Sequence, residues 1–128
     1  MYTLNMEIHS KDDKWIVQLR KGIYELAILS LLKSQNMYGY EISKFLRVFP
    51  VLSISEGAIY PILKRMAAKE WISSYWQDPV DGPRRKYYQI TIKGETVLKS
   101  RLSQYREMYD VLVYLGEGSH EKNGGDHS

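Results

Sequence analysis

From Trp15 to Ser34 apolar side chains recur so densely that the centre, "IYELAILSLL", is apolar on nearly every side. A helix of that pattern is buried on more than one face, so in a short chain it packs on its own domain and on something else. A second helix is predicted from Tyr38 to Val48. There Tyr38, Ile42, Phe45, Leu46 and Phe49 share one face, and Pro50 ends the run. A third covers Ser55 to Lys69, with Ile59, Ile62, Leu63 and Met66 as its apolar stripe and Ser55 as its N-cap. Pro61 lacks a backbone donor, so either the first turn is irregular or the regular helix begins near Pro61. Two short strand-like runs follow, "WISSYW" and "RKYYQI". The "QDPVDGPR" between them carries Asp-Pro and Asp-Gly-Pro turn signals, which makes a hairpin. A last helix starts at the cap Thr91 and runs to about Leu115. Its Leu98, Leu102, Tyr105, Tyr109 and Leu112 are spaced 4, 3, 4, 3, a partner-facing seam too short to be stable alone in water.

Three helices, a hairpin and a long helix describe a mainly α, α+β fold: a winged helix-turn-helix domain with an appended helix. The boundaries are a loose segment over 1–14, the winged domain over 15–90, a dimerisation helix over 91–115 and a disordered tail over 116–128. That tail, "GEGSHEKNGGDHS", has no apolar side chain. In a helix-turn-helix the second helix of the motif enters the major groove of DNA. Here it is the Ser55–Lys69 helix. With its stripe facing the core, Gly57, Tyr60, Pro61 and Lys64 look outward, flanked by Arg65. Gly57 permits close backbone approach, the helix N-terminus favours a phosphate, and Lys64 and Arg65 suit phosphate or guanine. The hairpin brings Arg84, Arg85 and Lys86 to the wing tip beside that helix, where they can meet phosphates. Tyr88 and Ile90 share the core face of their strand, and Tyr87 takes the opposite face, within reach of a phosphate.

Composition adds limits. The chain has 128 residues, 44% of them hydrophobic, and a formal net charge of +3, enough for one modest core and only mildly basic. Residues 55–90 hold six cations against four acids, an excess of +2. The DNA reading therefore rests on where the cations fall rather than on their number. There is no cysteine, which excludes disulfides, thiolate catalysis and Cys-ligated zinc. His9, His120 and His127 lie outside the apparent core, so neither a metal site nor a catalytic set is expected. No cofactor motif, nucleophile set or membrane span is visible, which leaves a cytoplasmic, non-enzymatic protein as the expectation.

Three segments carry a resemblance: "LAILSLLKSQNMYGYEI", "SEGAIYPILKRMAAKEWI" and "GPRRKYYQITIKG". Together, over about residues 18–95 and the long helix after them, they look like the PadR-like transcriptional regulators. The specific motifs are Tyr38-Gly39-Tyr40-Glu41, Gly57-Ala58-Ile59-Tyr60-Pro61, and Arg85-Lys86-Tyr87-Tyr88 leading into Thr91 and Gly94. The resemblance implies a homodimer that binds double-stranded, pseudo-palindromic operator DNA, usually as a repressor. The expected DNA-binding set is Tyr38, Tyr40, Ser55, Gly57, Tyr60, Lys64, Arg65, Arg84, Arg85, Lys86 and Tyr87. The expected dimerisation set is Trp15, Tyr24, Ile28, Leu98, Leu102, Tyr105, Tyr109 and Leu112. Family members often release DNA on binding a small aromatic or drug-like effector. That stays open here, with Trp15, Tyr105, Tyr109 and Tyr114 as aromatic candidates and ordinary interface packing as the preferred reading. The competing function is a protein-interaction adaptor on the same fold; cationic Lys64 and Arg65 weigh against it, and Glu56 weighs mildly for it.

Overall fold

The structure, a computed structural model, describes residues 14–118. The expected loose N-terminal segment and polar tail fall outside these residues, apart from Lys14 and residues 116–118. The element order is α1 (Lys14–Ser34), β1 (Met37–Tyr38), α2 (Gly39–Leu46), a 3-10 turn (Pro50–Leu52), α3 (Glu56–Ala68), β2 (Ile72–Gln77), β3 (Arg85–Ile90) and α4 (Ile92–Glu117). One compact unit ends at Leu98 and a second begins at Lys99, within α4.

The first unit is built on a core that α1 supplies with Ile28, Leu29 and Leu32, α2 with Ile42 and Leu46, and α3 with Ile59, Leu63 and Met66. Met37, Trp71, Ile72, Tyr88 and Leu98 complete it. The apolar stripe of α3 thus faces inward as its periodicity predicts. Ser55 caps the helix by accepting the Ala58 N–H at 3.2 Å. The helix runs unbroken through Pro61, which lies exposed on the outer side, where the missing N–H costs no buried partner. Three expectations are corrected. Phe45 does not share the inner face of α2 but stands 49% exposed, because Ile42 and Leu46 already fill that face. Ile28 and Leu98, expected at a partner interface, are buried in this core.

The sheet is larger than the expected hairpin. It has three strands in the order β1-β3-β2, all antiparallel. Met37 pairs with Tyr88 and Tyr38 with Tyr87, while Ile72 pairs with Ile90 and Gln77 with Arg85. β1 leads directly into α2, where the Tyr38 N–H donates to Glu41 Oε1 at 3.2 Å. The backbone that starts the helix-turn-helix is therefore hydrogen-bonded to the wing, and the two cannot swing independently.

The chain leaves α3 through a left-handed residue. Glu70 has φ +65°, the Glu70 N–H donates to the Ala67 carbonyl at 2.9 Å and the Trp71 N–H to Met66 at 3.1 Å. This is a Schellman closure, with buried Trp71 and Met66 as its apolar contact. Farther on, Thr91 Oγ1 lies 2.7 Å from the Glu70 carbonyl oxygen and 3.0 Å from that of Trp71, sharing one hydrogen between them. It also accepts from the Gly94 N–H at 3.0 Å. One side chain thus caps α4 and fastens it to the start of β2.

In the second unit the remainder of α4 is helical to Glu117 and almost wholly exposed. Leu102, Tyr105, Tyr109 and Leu112 of the expected seam are all exposed, and so are Met108, Val111, Val113, Tyr114 and Leu115.

Candidate nucleic-acid interface

α2, the turn at Pro50–Leu52 and α3 form the helix-turn-helix, and β2–β3 with the 78–84 loop form the wing. Between α3 and the wing lies an open groove of about 450 Å³. Tyr38, Gly39, Tyr40, Glu56 and Tyr60 line its helical side, and Trp76, Arg84, Arg85 and Lys86 line its wing side. The two basic and aromatic motifs, more than twenty residues apart in the chain, meet on one surface because β1 ties β3 to α2.

Aromatic rings hold the wing cations in place. Arg85 lies over the Tyr38 ring at 4.8 Å and Arg84 over Trp76 at 5.2 Å. Lys86 is 6.0 Å from both Trp76 and Tyr88. Such contacts orient a charge without neutralising it. Arg84 also pairs with Asp78 at 2.9 Å, but both side chains are exposed, so the pair is worth little and can be exchanged for a phosphate. Tyr87 sits edge-on to Tyr38 at 5.3 Å and stacked on Tyr75 at 5.7 Å. Its ring is half-buried and serves first as packing on the outer face of the sheet.

On the helical side, Gly39 makes the groove possible. A Cβ there would stand 2.5 Å from Tyr60 Cε1 and 2.8 Å from its hydroxyl. The phenol therefore packs directly against the start of α2, and its hydroxyl donates to Glu56 Oε2 at 2.8 Å. Burial of the ring, followed by the bond to Glu56 and that carboxylate's charge, pushes the Tyr60 pKa up to about 12. At neutral pH the hydroxyl keeps its hydrogen. A Cβ on Gly57 would meet nothing within 4 Å, so the fold itself does not require glycine there.

The groove thus collects Tyr38, Tyr40, Tyr60, Arg84, Arg85 and Lys86 of the expected set. Gly57 and Lys64 are exposed on α3 outside its lining. Arg65 turns to the other flank, where it lines a separate hollow with Arg20, Lys21 and Tyr24. Tyr24 is half-buried and donates to the Ser53 carbonyl at 2.9 Å, so it ties α1 to the loop before α3. Three groove residues lie outside the expected DNA-binding set: Gly39, Trp76, and Glu56, which the sequence reading weighs only as a mild sign of an adaptor. The signals were present: Glu56 lies one helical turn before Tyr60, and Trp76 faces Lys86 across the hairpin. Among the described residues no group of His, Asp or Glu could hold a metal ion, and no helix is long and apolar enough to cross a membrane.

A recognition helix beside a cationic wing defines the winged helix-turn-helix class of DNA-binding proteins. The model of the Transcriptional regulator PadR-like family matches residues 28–100, and the chain belongs to that family, whose members are regulators rather than enzymes. A protein of Lysinibacillus sphaericus called uncharacterized is 33% identical over 100 residues, 77% of this chain and 92% of its own. A PadR-like transcriptional regulator of Bacillus cereus strain ATCC 14579 is 34% identical with a TM-score of 0.71, covering 80% of this chain and 99% of that one. Bacillus subtilis PadR, solved in complex with operator DNA, is 26% identical with a TM-score of 0.58, covering 62% of this chain and 46% of that one.

Proposed function

We propose that the protein is a cytoplasmic homodimeric repressor that binds a pseudo-palindromic DNA operator through α3 and the wing. The observation that carries this reading is the single groove in which Tyr60 of the recognition helix faces Arg84, Arg85 and Lys86. In it α3 enters the major groove, with Lys64 and the exposed Gly57 edge against DNA, and the wing cations hold the flanking phosphates. The operator-bound Bacillus subtilis relative supports the same use of the fold.

Dimerisation is carried by the exposed apolar surface. Nine large apolar side chains between Leu102 and Leu115 are exposed, and on α1 Trp15 is 66% exposed. An isolated chain rarely leaves so many large apolar side chains of one helix in water as α4 does. The partner surface is thus wider than the a/d seam, and it begins at Leu102 rather than at Leu98. The effector reading also belongs here: within α4 the exposed Tyr105, Tyr109 and Tyr114 are the candidate rings for a planar aromatic molecule, with ordinary interface packing the preferred reading of them.

Sedimentation velocity at micromolar concentration tests the assembly. The expected species has twice the chain mass of 15.0 kDa. Leu112→Glu, placed mid-way along the exposed face, is expected to shift it to the monomer and weaken DNA binding. A wild-type monomer, or an unshifted Leu112→Glu dimer, contradicts this assembly. A dimer places its two α3 helices about 34 Å apart, one turn of DNA.

A further inference from the structure

Glu56 is the acid in a groove otherwise lined by cations, aromatic rings and Gly39. It is the first residue of α3, where recognition helices contact base edges. Among the described residues no ion pair joins it to Arg84, Arg85 or Lys86. Its carboxylate accepts instead from the Tyr60 hydroxyl at 2.8 Å. The Tyr60 ring packs directly against Gly39, where a side chain would collide with it, and the pair is already formed without a ligand.

That bond decides what the pair can recognise. The one phenolic hydrogen is directed at Glu56 Oε2, and a phenol keeps that hydrogen at neutral pH. Tyr60 Oη then has only lone pairs to offer, and so does the Glu56 carboxylate. The pair is a surface of acceptors. Phosphate oxygens and guanine O6 and N7 are acceptors too and are disfavoured beside it. Cytosine N4 and adenine N6 are donors in the major groove. The adenine amino group lies between two acceptors, its own N7 and thymine O4, whereas the cytosine amino group has an acceptor, guanine O6, on one side only.

We propose that Glu56 and Tyr60 act together as an acceptor-only reader of a cytosine amino group, which makes Glu56 a specificity-determining residue. The division of labour is then clear. The wing cations take the phosphates, and the acid among them refuses phosphate and selects a base. This rests on the DNA-binding reading above.

The test is selection of bound duplexes from a randomised library, followed by sequencing, with full-length wild type, Glu56→Gln and Tyr60→Phe. Glu56→Gln keeps the side-chain shape but converts one acceptor to a donor, and melting curves confirm that each variant folds. The wild-type consensus is expected to hold one cytosine per half-site that is favoured roughly tenfold or more. Both variants are expected to lose that preference while the other positions keep theirs. A consensus unchanged in Glu56→Gln, with affinity raised equally for all sequences, overturns the proposal and leaves Glu56 as a charge only. A wild-type preference for adenine at the affected position overturns the choice of cytosine. No enrichment by the wild type means that the DNA-binding reading itself has failed.

Discussion

Replacing Arg84, Arg85 and Lys86 together by alanine is expected to flatten the salt dependence of DNA binding. Each phosphate neutralised adds about 0.9 to the slope of log K against log salt, so three cations on one wing account for about 2.7. Two wings in a dimer account for about 5. At physiological salt the same change is expected to weaken binding by roughly a hundredfold or more, because the contacts are electrostatic and lost from both half-sites. The cost to folding is small. Arg84 is 62% exposed at its side chain, its Asp78 partner is 76% exposed, and the cations lie over rings rather than in a core. Anisotropy titrations at several salt concentrations, beside a thermal melt, separate the two effects. A slope that stays at the wild-type value means that the wing does not touch the backbone.

Gly94→Ala is expected to act in the opposite way, on stability. The exchange by itself favours a helix by about 1 kcal/mol. At this position, however, a Cβ would collide with the Trp71 carbonyl oxygen and stand 2.9 Å from Ile90 Cγ1 and 3.0 Å from the Trp71 carbonyl carbon. The Trp71 carbonyl cannot step aside, because it accepts the Thr91 N–H at 3.0 Å and Thr91 Oγ1 at the same distance. Overpacking against fixed backbone costs up to about 3 kcal/mol. The clash outweighs the propensity, and the net loss is about 2 kcal/mol, or a melting point roughly 5–10 °C lower at fixed protein concentration. A variant as stable as the wild type shows that α4 does not need this close approach to β2.

The contrast between those two sites mirrors what the sequence makes legible. The helices were readable because apolar residues recur at their period, and α3 with its Ser55 cap follows that reading closely. The wing cations were readable because Gly-Pro and the strand pattern put Arg84 at the loop end, with Arg85 and Lys86 on the first residues of β3 rather than at the expected tip. β1 was not readable. Two residues, Met37 and Tyr38, carry no alternation, and their strand exists only because β3 is there to pair with them. Periodicity also overstates a face: it grouped Phe45 with Ile42 and Leu46, and only the neighbours of α2 decide which are covered. The same holds for Ile28 and Leu98, whose apolar character fits a partner interface and an internal core equally well. The end of α3 was legible to within a residue, but the left-handed Glu70 after it was not, since that position is usually marked by glycine. The Glu56–Tyr60 pair is a further case: spacing put the two residues side by side, but only the Gly39 contact shows the phenol turned toward the acid.

The central claim is that the groove between α3 and the wing binds DNA by sequence. Fluorescence anisotropy at about 150 mM salt tests it most directly, with the duplex most enriched by the full-length protein from a random library and a shuffled duplex of the same composition. The account predicts that the enriched duplex binds at least ~10³-fold more tightly than the shuffled one. Equal, weak binding of both duplexes would contradict it.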